Sequence, residues 1–363
     1  MKNPQISVIL TAYNDAKYLP KSLEALQNQD LAEIEIICID DASSDDSVEV
    51  IKKYAAKDQR ISYIANKENV GLSEARNIAM QQAKAPYIMF CDADDTYAEN
   101  MCSTMLRAIT RHDVEMAICE INVIYKAHRE MKFSDDTYYA LKYSGTQTVT
   151  DNLILSTDFS VTNKIFKKSL LDQYQLRFPK GLRYEDAYFS AAYFCLSDKV
   201  YYVNERLYNY VRHSNSIMSQ TWTKDSATDF AIDHLHVIIQ LYDFLEKHDL
   251  LKTNTQLYWQ LFDNYVRLAI HHSKSRTSVK KIRQIAQEFV SNHQKSFQAA
   301  HKNVRESIQQ VCSNKPYLST TRLKRAVIKF MPTYRLEVAN IQRLRALKSK
   351  NAHLNQKINK LLD

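Results

Sequence analysis

Four short apolar runs open the chain, at residues 6–10, 34–39, 61–64 and 87–91, and each carries Ile or Val. Between them, residues 18–29, 46–57 and 73–83 place apolar side chains at helical spacing. A further helix is expected over 100–111 and a further strand near 116–124. Runs that are apolar at nearly every position suit strands buried on both faces. Strand and helix in regular alternation predict an α/β fold, a mostly parallel sheet flanked by helices on both sides. In such sheets ligands gather beyond the carboxyl ends of the strands. The residues that follow each run are therefore the first candidates for chemistry.

Glycine excludes two common solutions. The chain of 363 residues has only Gly71, Gly145 and Gly181, far apart. Dinucleotide-binding turns and phosphate-cradling P-loops need two or three glycines within about eight positions, so any nucleotide must be held by other chemistry. The six cysteines contain no C-x-x-C pair and lie mostly in apolar runs. That pattern predicts reduced, buried thiols rather than zinc ligands or a disulfide framework. The N-terminal MKNPQISVILTAYN turns polar too soon for a signal peptide, and no stretch approaches the ~18 apolar residues of a membrane span. A cytoplasmic location is expected.

Three segments follow from the pattern: 1–215 as the α/β domain, 225–313 as a helical domain, and 315–363 as a basic tail. Residues 126–213 read as a mixed region that closes the site, and 230–245 and 257–271 as long helices. The net charge of +8 is concentrated in the tail, where twelve Lys or Arg face only Glu337 and Asp363. Within the tail, Leu323, Ala326, Val327, Phe330 and Met331 recur at helical spacing beside Arg322, Lys324, Arg325 and Lys329. Such a helix either lies on anionic lipid, as a peripheral contact with the inner face of a membrane, or packs on the protein body. Without interleaved aromatics or a known binding motif, nucleic acid is not an expected partner. Leu344, Asn351 and Ile358 then fall at position a of a heptad, with Leu347, Leu354 and Leu361 at d. This is a short coiled-coil-like helix suited to a homo-oligomer, dimer or trimer, with intramolecular packing left open.

The strand ends are acidic. Thr11-Ala12-Tyr13-Asn14-Asp15 follows the first strand, Asp40-Asp41-Ala42-Ser43-Ser44-Asp45 the second, and Asp92-Ala93-Asp94-Asp95 the fourth. Carboxylates gathered at neighbouring strand mouths repel one another unless something cationic or hydrogen-donating joins them. Alternate residues of a strand share a face, so Asp92 and Asp94 are expected on one side. Hard oxygen ligands of this kind suit Mg²⁺ or Mn²⁺, which keep waters and bind a diphosphate. Helix capping is the alternative role, and it is the expected one for Ser44 and Asp45, ahead of helix 46–57.

The segments SVILTAYND (7–15), IICIDDASSDDS (36–47), ENVGLSEARNIAM (68–80) and YIMFCDADD (87–95) resemble family 2 glycosyltransferases of the GT-A (Rossmann-like) fold. RYEDAYFSAAYF (183–194) and HSNSIM (213–218) are weaker matches in the same order. The resemblance implies that Ala12, Tyr13 and Asn14 enclose a nucleotide base, and that Asp40 and Asp41 contact base and ribose, pointing to a UDP-sugar donor. It places Arg76 near the diphosphate, Asp94 on the metal, and Asp92 toward ribose and the metal's waters. Asp186 becomes the catalytic base with Glu185 second, and His213 a further metal or diphosphate ligand. The long helical C-terminal portion has no general counterpart in the family.

The implied activity is inverting, metal-dependent transfer from a nucleotide-sugar donor to a saccharide acceptor of a cell-surface glycan, whether lipid-linked, polymeric or protein-linked. A nucleotidyltransferase of sugar phosphates is the nearest enzymatic rival, though residues 7–13 lack its usual glycine-rich loop. A catalytically silent binding or assembly module is the third reading.

Overall fold

The computed structural model describes residues 3–127, 130–133, 142–212, 230–273 and 275–313. Its strands are β1 (Ile6–Ala12), β2 (Ile34–Asp40), β3 (Ile61–Ala65), β4 (Tyr87–Asp92), β5 (Thr96–Tyr97), β6 (Met116–Ala127), β7 (Glu130–Phe133), β8 (Gly145–Thr148), β9 (Lys164–Lys167) and β10 (Lys199–Arg212). The helices of the first part are α1 (Leu19–Gln27), α2 (Ser47–Ala55), α3 (Leu72–Gln82), α4 (Met101–Arg111), α5 (Asp151–Ser156), α6 (Lys168–Gln173) and α7 (Glu185–Cys195). A 3₁₀ turn at Phe230–Ile232 leads into α8 (Asp233–Lys247), α9 (Leu251–His272), α10 (Arg276–Asn292), α11 (Gln294–Ala299) and α12 (Lys302–Cys312).

The sheet runs β3-β2-β1-β4-β9-β6-β10-β5, with β7 on β6 and β8 on β10. Its first part, β3-β2-β1-β4, is the parallel sheet that the alternation predicts. Beyond β4 the sheet is mixed. The short β9 pairs antiparallel with both β4 and β6, while β6 and β10 are parallel to each other. The described residues within 126–213 thus supply strands to the same sheet.

Period-two alternation divides the core. Val8, Leu10, Ile36, Cys38, Met89 and Cys91 face α1 and α4, whereas Ile9, Ile37, Ile39, Ile88 and Phe90 face α3 and α7. Each such aliphatic side chain contributes about 1.5–3 kcal/mol by leaving water. The second face continues without a break through Phe189, Tyr193 and Phe194 of α7 into Leu241, Trp259, Phe262 and Phe289 of the C-terminal helices. Those helices therefore share a core with the sheet. All six cysteines are thiols, and five are buried.

Chain order sets the position of the site. The chain moves outward from β1 to β2 and β3, then crosses back to enter β4 on the other side of β1. The loops after β1 and β4 consequently diverge and leave a crevice at the strands' carboxyl ends. Ala12 lies level with Asp40, and Thr11 with Asp92, so the three acidic loops meet at one rim.

Candidate functional site

The first two rim loops are tied together. Asn14 and Ala42 both adopt left-handed backbone, at φ 58 and 59, which Asn tolerates and Ala does at a cost of about 1–2 kcal/mol. Asn14 N–H donates to Ser43 Oγ at 2.9 Å, and Ser44 N–H returns a bond to Asn14 Oδ1 at 2.8 Å. Ser44 is therefore committed to the neighbouring loop and does not cap α2, as expected of it. Asp45 does serve the helix start, accepting Ser47 N–H at 3.0 Å.

Asp40 and Asp41 are buried and hydrogen-bonded within the rim. Asp40 accepts the Ser43 N–H at 2.9 Å and the Ser43 hydroxyl at 2.5 Å. Asp41 accepts Val70 N–H at 2.9 Å, Gly71 N–H at 2.8 Å and Asn66 Nδ2 at 2.9 Å. It thereby fixes the loop that leads into α3. Ala12 is buried and its carbonyl accepts Asp41 N–H at 2.9 Å. Tyr13, by contrast, leaves 52% of its surface open to solvent, a free aromatic face at the mouth of the crevice.

Arg76 on α3 is the hub. Its side chain is 2% exposed, and its guanidinium donates to Asp92 Oδ1 at 2.9 Å, Glu185 Oε1 at 2.8 Å and Asp186 Oδ1 at 2.8 Å. The Phe178 ring lies 5.1 Å from the guanidinium carbon and the Phe90 ring 5.9 Å. Burial disfavours the charge, but Asp186, Asp92 and Glu185 outweigh it and hold Arg76 more firmly protonated than usual. Sequence reading sets this residue near a diphosphate; the structure sets it among carboxylates from β4 and α7. A reciprocal pair steadies α3 against the incoming loop: Asn77 Nδ2 donates to Phe178 C=O at 2.9 Å and Asn77 Oδ1 accepts Phe178 N–H at 2.8 Å.

Asp186 keeps 28% of its side chain exposed. Burial raises its pKa to about 7; Arg76 opposes the rise, while Glu185 and Asp92 add to it. Glu185 is also raised, by burial first, against the pull of Arg76. Val161 N–H donates to Asp186 Oδ2 at 3.3 Å. The loop carrying Val161 is held by Lys164, a fully buried lysine whose Nζ donates to Asp158 C=O, Ser160 C=O and Asn163 Oδ1. One carboxylate oxygen of Asp186 is thus fixed by a cation and the other by an amide. A carboxyl poised near neutrality at a cleft is suited to proton transfer.

Beside this cluster the rim carries more negative charge. Asp15 is raised to about 6, mainly by burial, with Asp94, Asp92 and Asp45 contributing against the Tyr13 N–H that lowers it. The alternation argument for Asp94 stops short, because β4 ends at Asp92 and Asp95 N–H closes a turn onto Asp92 C=O at 3.1 Å. Asp92 and Asp94 nonetheless act on Asp15 together. Asp95 is buried, accepting Tyr208 Oη–H at 2.6 Å and Val211 N–H at 2.7 Å, and so joins the acidic loop to β10. Burial, then Asp94 and Asp92, push it well above the usual carboxylate range. Among the described residues no three His, Cys, Asp or Glu side chains converge tightly enough to hold a metal by themselves. His213 lies outside the described residues.

Asp15 stands among the acids that follow the strands, but no motif in the sequence gives it a ligand or marks its burial. Lys164 and Val161 had no expected role, since a lysine in a strand and an apolar residue in a loop carry no motif.

Residues 7–175 match the family model for glycosyl transferase family 2. Glycosyltransferase GlyA of Streptococcus pneumoniae serotype 4 is 30% identical over 255 residues, covering 67% of this chain and 36% of that protein. Glycosyltransferase GlyG of the same organism is 29% identical over 244 residues, covering 62% of this chain and 78% of that protein. The chain thus spans about a third of the length of GlyA and most of GlyG. Among solved structures, TarS of S. aureus superposes with a TM-score of 0.62 at 17% identity, covering 85% of this chain and 52% of that one. TarS 1–349 in complex with UDP-GlcNAc gives 0.56 at 18% identity, covering 87% and 95%. At these identities the structural likeness is one of fold. Strand order, rim motifs and family match agree: the chain belongs to glycosyl transferase family 2.

Proposed function

We propose that the protein is an inverting glycosyltransferase that moves a sugar from a nucleotide-sugar donor, a UDP-sugar, to a saccharide acceptor of a surface glycan. The observation that carries this reading is the buried bridge from Arg76 to Asp92, Glu185 and Asp186. It couples the acidic donor rim to a single carboxyl with a pKa of about 7.

Donor binding follows from the rim. Tyr13 offers a face on which a base can stack. A carboxylate has about four lone-pair sites, so Asp40, which accepts two bonds, retains capacity for a base N–H or a ribose hydroxyl. Asp41 and Asn14 hold the loops that frame the base. The charge balance at the rim fits a divalent cation: Asp15 is driven toward its neutral form by burial first and then by Asp94 and Asp92, and added positive charge there would relieve that repulsion. Asp94 with Asp92 would hold Mn²⁺ or Mg²⁺, which when bound neutralises a diphosphate and acts as a Lewis acid on the leaving group.

Asp186 receives the proton of the acceptor hydroxyl as that oxygen attacks the anomeric carbon from the side opposite the nucleotide, which inverts the centre. Arg76 and Val161 N–H hold the carboxylate in place, and Glu185 shares the guanidinium. Holding both sugars in register supplies much of the acceleration. The tail at 315–363, outside the described residues, is assigned to self-association and to contact with anionic lipid. No helix among the described residues is long and apolar enough to cross a membrane.

The test is a panel of nucleotide sugars incubated with the protein, with and without Mn²⁺, against the Asp186→Asn variant. Release of UDP that needs both the metal and Asp186 supports the reading. Release of pyrophosphate, or undiminished transfer by Asp186→Asn, overturns it.

A further inference from the structure

Tyr184 directly precedes the acid pair, and its backbone is left-handed, at φ 64 and ψ 28. For a bulky aromatic residue that conformation costs about 1–3 kcal/mol and persists only where the surroundings enforce it. Here they belong to a distant part of the chain. The Tyr184 ring lies face to face with the imidazole of His234 at the start of α8, centroids 3.6 Å apart and planes 18° apart. One residue earlier, Arg183 N–H donates to Asp233 Oδ2 at 3.3 Å, and the Arg183 guanidinium sits 3.3 Å from the centroid of the Phe230 ring. His234 is itself 3% exposed and shares a 2.9 Å hydrogen bond between its Nε2 and Nδ1 of His272 on α9. Its own Nδ1 is buried with no hydrogen-bond partner among the described residues. His234 is thus held by His272 through its edge and meets Tyr184 through its face.

We propose that Tyr184 and His234 are positioning residues: the helical region clamps the turn at 183–184 and thereby aims Asp186 at the acceptor hydroxyl. The inference rests on the assignment of Asp186 as the base. Asp186 is the second residue of α7, so its carboxylate moves with any change in the turn that starts the helix. A displacement of about 1 Å at such a group costs on the order of 10²-fold in rate. The clamp thus gives the C-terminal helices a part in catalysis while their residues stay out of contact with the reacting atoms.

The experiment compares ring-deleting with ring-keeping variants of the full chain. Tyr184→Gly and His234→Ala remove the stack, and glycine adopts the left-handed turn without strain. Both should lower kcat by about 10- to 100-fold with donor KM within about twofold of wild type. Tyr184→Phe and His234→Phe keep two stacked rings and should restore kcat to within about threefold. Hydrogen exchange should show faster exchange over 184–188 in Tyr184→Gly, with the peptides of β1 and β2 unchanged. Equal losses in ring-keeping and ring-deleting variants, or an unaltered kcat in Tyr184→Gly, would overturn the clamp. If the wild-type protein transfers no sugar, the functional reading fails, and exchange still decides: lost protection confined to 184–188 supports the clamp, and unchanged protection refutes it.

Discussion

Replacing Arg76 with Met keeps a long apolar stem beside Phe178 and Phe90 but removes the charge. Three carboxylates then remain around the volume that one guanidinium fills, without the cation that all three share. Breaking a buried ion pair by deleting one partner costs about 3–5 kcal/mol, equivalent here to a fall in Tm on the order of 10 °C. The loss must depend on pH. Arg76 lowers the pKa values of Asp186 and Glu185, so its removal raises both further above their unfolded values. A group whose pKa is raised on folding stabilises the fold while protonated and loses that contribution as pH rises through the folded value. Arg76→Met should therefore lie closer to wild type at about pH 5.5 than at about pH 8.5, and differential scanning calorimetry at the two pH values reads the difference. Equal losses at both, or a loss below about 1 kcal/mol, would show that the bridge is not the counter-charge of the cluster. Arg76→Lys separates charge from geometry: one ammonium cannot reproduce a planar fork on three acids, so part of the stability should return without the activity.

Asp94→Ala should abolish Mn²⁺-dependent binding of UDP in calorimetry, and unaltered affinity would count against Asp94 as a metal ligand. Gly71 holds φ 86 and ψ 156 at the start of α3, a region open only to glycine, although a Cβ there would meet nothing within 4 Å. Gly71→Ala should therefore destabilise by about 1–3 kcal/mol through backbone strain alone, and a neutral result in thermal melting would mean the turn relaxes freely. Burial depresses His234 from 6.5 to about 3. Its contribution is complete well above pH 6.5 and lost as pH falls toward about 3, so stability should drop by roughly 2 kcal/mol between about pH 6.5 and 4.5. In His234→Phe that slope should shrink, and an unchanged slope would mean the imidazole titrates normally.

Local pattern carried much of this molecule. The first four apolar runs are strands within two residues of their expected ends, and the intervening helices follow the apolar spacing, because burial on a sheet face depends on the nearest few side chains. The acids of the rim were legible for the same reason, each following directly on its strand. Gly71 is required by its positive φ alone, since a Cβ there would have open space around it.

The sequence by itself determined an α/β sheet with an acidic carboxyl-end rim and a helical extension. Tertiary structure alone decided what the charges do. Arg76 meets Asp92, Glu185 and Asp186 from positions 16 to 110 residues away, buried Lys164 ties down the loop whose Val161 amide meets Asp186, and Tyr184 is held in a strained turn by His234. Partners of this kind are chosen by where strands and helices come to rest, and no local preference encodes them. A side chain's own chemistry is written in its identity, but its pKa and its aim belong to the neighbours that folding brings to it.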